Sequence, residues 1–130
     1  MKLSEFTIII PCISFKDVSI SLENIRKQYK KIKIIICLNN IDKKIPKDKN
    51  LVVLKTKFKG IGKKRNLAVD RCKTKYIAFI DSDAYPKKKW LENSFKYLNK
   101  KNIGLIGGPN IDPEKQTFIQ NLIGQVKKSY

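Results

Sequence analysis

Short apolar runs alternate along the whole chain with segments in which apolar residues recur every three to four positions. Apolar runs of four to eight residues are typical of buried strands, and the wider spacing is typical of one helix face. The pattern predicts strands at about 6–10, 32–38, 51–54, 76–80 and 103–106, and helices at about 18–29, 63–71, 86–99 and 114–128. This alternation predicts a parallel sheet with helices on both faces, a three-layer α/β architecture. Asp17 is the predicted cap of the first helix, and Pro86 suits the first turn of the third.

The predicted strand 76–80 is taken as the buried, central strand, and it ends directly in two carboxylates, Asp81 and Asp83. In an extended chain, residues two apart point to the same side, so both should emerge at the mouth of the strand. Bare carboxylates are costly there unless a positive partner joins them, and Mg²⁺ or Mn²⁺ takes oxygen ligands of this kind. Asp-x-Asp alone also suits an ordinary solvated turn, but its position at a strand end favours a metal site.

Polar residues also follow two other predicted strands, at 11–14 and at Asn39-Asn40. The carboxyl ends of parallel strands meet at one edge of a sheet, where open α/β sheets bind ligands. The pattern therefore predicts a nucleotide site at the edge shared by these residues and the Asp pair.

The amino-acid composition restricts the possible functions further. The 130 residues predict one domain, 1–130, and 29 Lys plus Arg against 11 Asp plus Glu give a net charge of +18. Such a charge attracts polyanions, although scattered lysines on a solvated surface explain most of it. Three cysteines without a C-x-x-C spacing, and no His, exclude a common zinc site and indicate buried thiols in a reducing compartment. No run approaches the ~20 apolar residues of a membrane span, and no signal peptide is visible.

The order and spacing of four segments resemble those of family-two inverting glycosyltransferases with the GT-A fold, in their nucleotide-diphospho-sugar-binding half. The segments are Phe6–Pro11, Lys64–Ala68, Tyr76–Pro86 with Trp90-Leu91 after it, and Ile106–Asn110. The resemblance runs from about Phe6 to Val126. It implies a Rossmann-like sheet, cut short after the glycine-rich segment, and the inverting transfer of a sugar from a nucleotide-diphospho-sugar to a glycan or lipid acceptor, for example in cell-envelope synthesis.

The resemblance also implies site residues and a cofactor, Mn²⁺ or Mg²⁺. Asp83 would be the direct metal ligand, with Asp81 on the metal, its bound water or the ribose. The nucleotide-sugar would contact a set of residues at the strand ends: Pro11, Cys12, Asn39, Asn40, Arg65, Asp81 and Ser82. The acceptor side would be the glycine-rich segment Gly107, Gly108, Pro109 and Asn110. Lys64 fits a nucleotide contact or the basic face of a surface helix equally well.

Two departures from the family pattern matter. The second strand ends in Asn39-Asn40, where the family usually has an acidic residue that contacts the base, so base preference stays open with a UDP-type donor favoured. The chain is also about half the family's usual length. Glu114 is not assigned as the catalytic base, which is expected to lie outside this chain, and the chain alone is expected to transfer sugar poorly.

Three other functions remain open. A basic nucleic-acid-binding module fits the charge, but the aromatic residues occupy core positions, so no specific nucleic-acid partner is expected. A nucleotidyltransferase would need a glycine-rich loop after the first strand, and the turn there lacks glycine. The third is a truncated or regulatory fragment that binds nucleotide without transferring sugar, and the sequence does not separate it from one half of a split enzyme. The predicted last helix carries Lys127 and Lys128 beside an apolar stripe. One expectation is a cytoplasmic protein that associates weakly with the anionic inner face of the cell membrane, and the other is that the stripe packs on the missing half of the domain.

Overall fold

The sheet of this computed structural model has four strands in the order β3-β2-β1-β4, and every neighbouring pair is parallel. The structure describes residues 2–100, 102–109, 111, 117–119 and 125. After a short 3₁₀ turn at Leu3–Glu5, the elements are β1 Phe6–Pro11, α1 Phe15–Gln28, β2 Lys33–Leu38, β3 Leu51–Lys55, α2 Ile61–Asp70, β4 Tyr76–Phe79 and α3 Trp90–Leu98. The predicted alternation of parallel strands and helices is therefore confirmed for these elements.

Helices cover both faces of the sheet, which confirms the three-layer architecture. One face packs against α1 and α3, and its buried core includes Ile8 and Ile34 from the sheet with Val18, Ile25 and Leu91 from the helices. The opposite face carries a smaller cluster, in which Ile9, Ile35 and Cys37 meet Ala68 of α2. The central strands β1 and β2 are buried on both faces, as strands between two helical layers must be.

The prediction that β4 is a buried, central strand is wrong for the described part of the chain. Within the described residues β4 pairs with β1 alone and forms an edge of the sheet. Its residues are alternately half-buried and exposed: Tyr76 stacks on Phe6, whereas Ile77 and Phe79 are 36% and 42% exposed. An apolar run shows how much apolar surface a strand offers, but it does not show whether both faces are covered.

The first two helices begin earlier than predicted. Ser14, not Asp17, caps α1: the Asp17 N–H donates to the Ser14 hydroxyl, and the Ser14 N–H donates to the Asp17 carboxylate. This capping box lets buried Phe15 join the apolar face of α1. Helix α2 begins at Ile61, directly after Gly60.

The predictions for the last third of the chain are less accurate. Helix α3 begins at Trp90 rather than near Pro86, after Lys89 in the left-handed region at φ 60°. Residues 103–109 form no regular element, so the predicted strand at 103–106 is wrong, and Leu105 is 87% exposed. Most of the predicted helix at 114–128 lies outside the described residues. Among those that are described, no helix is both long and apolar enough to cross a membrane.

Candidate functional site

The turn after β1 and the end of β2 are joined by backbone hydrogen bonds at the carboxyl edge of the sheet. The N–H groups of Asn39 and Asn40 both donate to the carbonyl of Ile13, at 2.9 and 3.0 Å. The Cys12 N–H donates to the carbonyl of Cys37 at 3.0 Å. The structure thus brings together Cys12, Asn39 and Asn40, and Pro11 is buried as the last residue of β1.

Lys64 of α2 reaches into the same place. Its side chain is 1% exposed, and its ammonium donates to the Cys12 carbonyl at 2.6 Å and to Asn39 Oδ1 at 2.7 Å. The surface-helix interpretation of Lys64 is therefore wrong. The helical spacing contained the signal, because Lys64 precedes Ala68 by four residues and so shares the inward face of α2.

The Asn39 side chain links this network to the segment after β3. Its Nδ2 group donates to the carbonyls of Thr56 and Phe58, at 2.8 and 3.0 Å, while Oδ1 accepts from Lys64. Both amide protons of Asn39 are therefore engaged within the protein. Asn40 is exposed, and its side chain makes no hydrogen bond to any residue that the structure describes.

Arg65 and Asp81 form a second contact at the same edge. Arg65 Nη2 lies 2.9 Å from Asp81 Oδ1, and the guanidinium lies over the Phe79 ring, 5.5 Å from its centroid. The Arg65 Nε atom is buried without a hydrogen-bond partner. One N–H of this guanidinium is thus unsatisfied beside a candidate site for an anionic ligand.

The two carboxylates lie in a turn rather than in an extended strand. Strand β4 ends at Phe79, and the Ala84 N–H donates to the Asp81 carbonyl at 3.1 Å. The argument that an extended backbone aligns Asp81 and Asp83 is therefore wrong, although both residues do follow the carboxyl end of β4. Ser82 lies half-buried between them.

The donor atoms of this turn fit a hard divalent cation. Asp83 is exposed and forms no ion pair or hydrogen bond with the described residues, and Asp81 shares one oxygen with Arg65. No group of three or more His, Cys, Asp or Glu that could enclose a metal occurs within the described part of the chain. Mg²⁺ commonly takes one or two protein carboxylates and completes its shell with water and substrate phosphates, so two carboxylates suffice.

The buried thiols of Cys12 and Cys37 are unreactive at neutral pH. Burial raises the pKa of Cys12 to about 12, the positive charge of Lys64 opposes that rise, and the charges of Asp17, Cys37 and Asp42 add to it. Burial also raises the pKa of Cys37. At neutral pH both thiols are protonated and poor nucleophiles. All three cysteines are free; Cys12 and Cys37 are buried as predicted, whereas the prediction is wrong for Cys72, which is half-buried.

The acceptor-side residues remain separate from these contacts. Gly107, Gly108 and Pro109 lie in the exposed irregular segment, and Asn110 lies outside the described residues. Neither glycine has a positive φ, and an added Cβ at either would meet no atom within 4 Å. Within the described residues, the two glycines therefore show neither an unusual backbone nor a close approach of other atoms.

Two cavities lie away from this edge. One of about 370 Å³ lies between α1 and the loop 43–48, and one of about 170 Å³ lies beside Lys33 and Arg71 at the amino ends of the strands. Neither is lined by a predicted site residue.

Comparison with known proteins shows the family and agrees with the fold. The family model described as glycosyl transferase family 2 matches residues 7–125. No curated protein sequence matches the chain. The crystal structure of S. aureus TarS 1-349 matches with a TM-score of 0.57 and 20% identity, over 81% of this chain and 38% of that chain. The crystal structure of S. aureus TarS matches with a TM-score of 0.60 and 21% identity, over 80% and 23%. At these identities the likeness shows the fold, and the chain spans well under half of either TarS chain.

Proposed function

The chain belongs to glycosyl transferase family 2, and from that membership we propose that it binds a nucleotide-diphospho-sugar at the carboxyl edge of its sheet, through a divalent metal, for inverting transfer to an acceptor. The observation that carries the proposal is the turn after β4. It offers one carboxylate, Asp83, without a partner among the described residues, and a second, Asp81, paired with Arg65. Both follow a parallel strand at the edge where such sheets bind ligands.

Asp83 and Asp81 would hold Mn²⁺ or Mg²⁺ between them and the donor diphosphate. When bound there, the cation would offset the negative charge that develops on the leaving nucleoside diphosphate. Arg65 sits beside the same carboxylate and is partly exposed, so its guanidinium can neutralise phosphate charge as well. Ser82, within the same turn, would contact the donor between the two carboxylates.

The nucleoside would lie over the ends of β1 and β2, against Pro11, Cys12, Asn39 and Asn40. Because both amide protons of Asn39 are engaged with Thr56 and Phe58, Asn40 is the better candidate to read the base. Its exposed amide can both donate and accept, which suits either carbonyl edge of a uracil. We propose a UDP-type donor, and the comparison of UDP with GDP tests it.

The acceptor is a glycan or a lipid, and the segment Gly107–Asn110 would face it. No residue of this chain is assigned as the base that deprotonates the acceptor. The charge of +18 supports a cytoplasmic protein that reaches anionic lipid at the inner face of the membrane. Sedimentation with anionic and with neutral vesicles tests the proposed membrane association, and equal binding to both would contradict it.

Calorimetric titration with UDP and with GDP, in Mn²⁺ and then in chelator, tests the proposed function. We expect Asp83→Ala to lower the metal-dependent affinity roughly tenfold or more, because it removes a direct ligand. Asp70→Ala is the matched control, since Asp70 is also an exposed aspartate but ends α2, away from the candidate turn. Unchanged nucleotide affinity in Asp83→Ala would remove the metal assignment.

A further inference from the structure

Lys64 is the one fully buried charged residue in the part of the chain that the structure describes. Its two hydrogen-bond acceptors, the Cys12 carbonyl and the Asn39 amide oxygen, are both neutral. None of the ion pairs formed by the described residues includes Lys64. A buried charge is costly unless a counter-charge or a full set of hydrogen bonds compensates it, and an ammonium has a third N–H to satisfy.

Packing of α2 does not require a cation at this position. Four residues further along the same face, Ala68 is fully buried against Ile9, Ile35 and Cys37. An apolar side chain at position 64 would continue that contact without a desolvation cost. Departures from apolar patterning are expected mainly where a protein binds or reacts.

The ammonium lies at the edge where the donor is proposed to bind. Lys64 is in the first turns of α2, and the N-terminus of a helix carries partial positive charge that favours anions. The exposed Lys63 and the partly exposed Arg65 flank it in sequence. Through Asn39 it also connects the ends of β1, β2 and the segment after β3, so its charge is held in a fixed place.

Nearby carboxylates only partly offset this charge. Asp17 and Asp42 both act electrostatically on the Cys12 thiol, in the direction opposite to Lys64. Each is already engaged with backbone N–H groups, Asp17 with that of Ser14 and Asp42 with that of Lys16. Asp81 is paired with Arg65. The fixed positive charge of Lys64 therefore has no dedicated counter-ion among the described residues, and an anionic ligand would supply one.

We propose that Lys64 is a specificity-determining residue, whose buried charge makes the site select the phosphorylated nucleotide over the unphosphorylated nucleoside. This inference rests on the proposed function, because it requires that a nucleotide binds at this edge. The buried ammonium acts electrostatically on the phosphates without contacting them. Its hydrogen bonds to the Cys12 carbonyl and to Asn39 hold the ends of β1 and β2 in place.

The test compares the affinities for UDP and for uridine, measured by NMR titration in Mg²⁺, in the wild type and in variants. Lys64→Gln keeps hydrogen-bond donors and removes the charge. We expect it to lower the UDP affinity roughly tenfold and the uridine affinity less than about twofold. Lys64→Met is the second neutral variant, and it serves if the glutamine variant does not fold. Lys64→Arg, which keeps the charge, should retain most of the preference for UDP.

Lys63→Gln is the matched control, since it removes an exposed positive charge from the adjacent position. It should change the ratio of the two affinities less than about twofold. If the neutral variants at position 64 weaken UDP and uridine equally, Lys64 acts through structure alone and the inference is overturned, while the proposed function stands. If the wild type binds neither ligand, the proposed function fails and the inference fails with it.

Discussion

The carboxyl edge of the sheet has two parts that satisfy their polar groups in different ways. At the ends of β1, β2 and β3, Lys64 and Asn39 form a closed network with Cys12, Thr56 and Phe58. At the end of β4, Asp81 and Arg65 form one exposed pair, Asp83 has no partner among the described residues, and Arg65 Nε is unsatisfied.

The first, closed part therefore stabilises the fold, whereas the second, open part offers a binding surface. Buried polar groups that are engaged with one another rigidify a structure, and breaking them is costly. Exposed charged groups contribute little to stability and remain available to a ligand, and a buried N–H without a partner carries a desolvation cost. We therefore expect substitutions in the open part to act mainly on binding. Substitutions in the closed part should act mainly on folding, except at Lys64, whose charge also acts on the ligand.

The largest effect on stability should come from Asn39→Ala. This change removes a hydrogen-bond acceptor from Lys64 and a donor from two carbonyls, and it should lower the free energy of unfolding by about 2–3 kcal/mol. Asn40→Ala is the control, because the Asn40 side chain is exposed, and it should change stability by less than about 0.5 kcal/mol. Urea denaturation of both variants makes the comparison, and equal losses would contradict a closed network around Asn39.

Alkaline pH should weaken the closed part to a smaller extent. The folded pKa of Cys12 is about 12, against a usual value of 9.0, so the protonated thiol is favoured in the folded state. That contribution is fully present below pH 9 and is lost as pH rises towards 12. Between pH 8 and pH 10 the wild type should lose about 1 kcal/mol more stability than Cys12→Ala. Parallel declines in the two proteins would show that the thiol is not shielded as the structure indicates.

The smallest effect on stability should come from the open part. The Arg65–Asp81 pair is exposed, with side chains 37% and 64% accessible, so Arg65→Ala should cost less than about 1 kcal/mol. The same variant should bind a nucleoside diphosphate several-fold more weakly, because it loses a phosphate-facing cation. A thermal melt and a calorimetric titration of one preparation give both values. A large loss of stability with unchanged binding would reverse the assignment of the two parts.

The sequence predicted the architecture well and the environment of single side chains poorly. Strand and helix periods follow from the local pattern, and they located β1, β2, β3 and the three helices to within about four residues at each end. The exposed face of β4 depends on which other elements cover it, and no local pattern records that.

The same limit applies to the site. Asp81, Asp83 and Arg65 are predicted site residues because they follow a strand or resemble a family motif. Lys64 was missed as a buried residue, because a lysine in a basic helix is expected at the surface. Only its spacing from Ala68 pointed inward, and the partners that bury it, Cys12 and Asn39, are 52 and 25 positions away.

The central claim is that a divalent cation and a nucleoside diphosphate meet at the turn after β4, and Mn²⁺ tests it most directly. Paramagnetic broadening of amide NMR signals falls steeply with distance from Mn²⁺, so a titration with Mn²⁺ in the presence of UDP locates the ion. The signals of residues 81–84 should broaden first, and those of Lys33 and Lys49 at the amino ends of the strands should stay sharp. Asp83→Ala should remove this selectivity. Broadening that begins at other acidic residues such as Asp48 or Asp70, or that is the same without UDP, would contradict the claim.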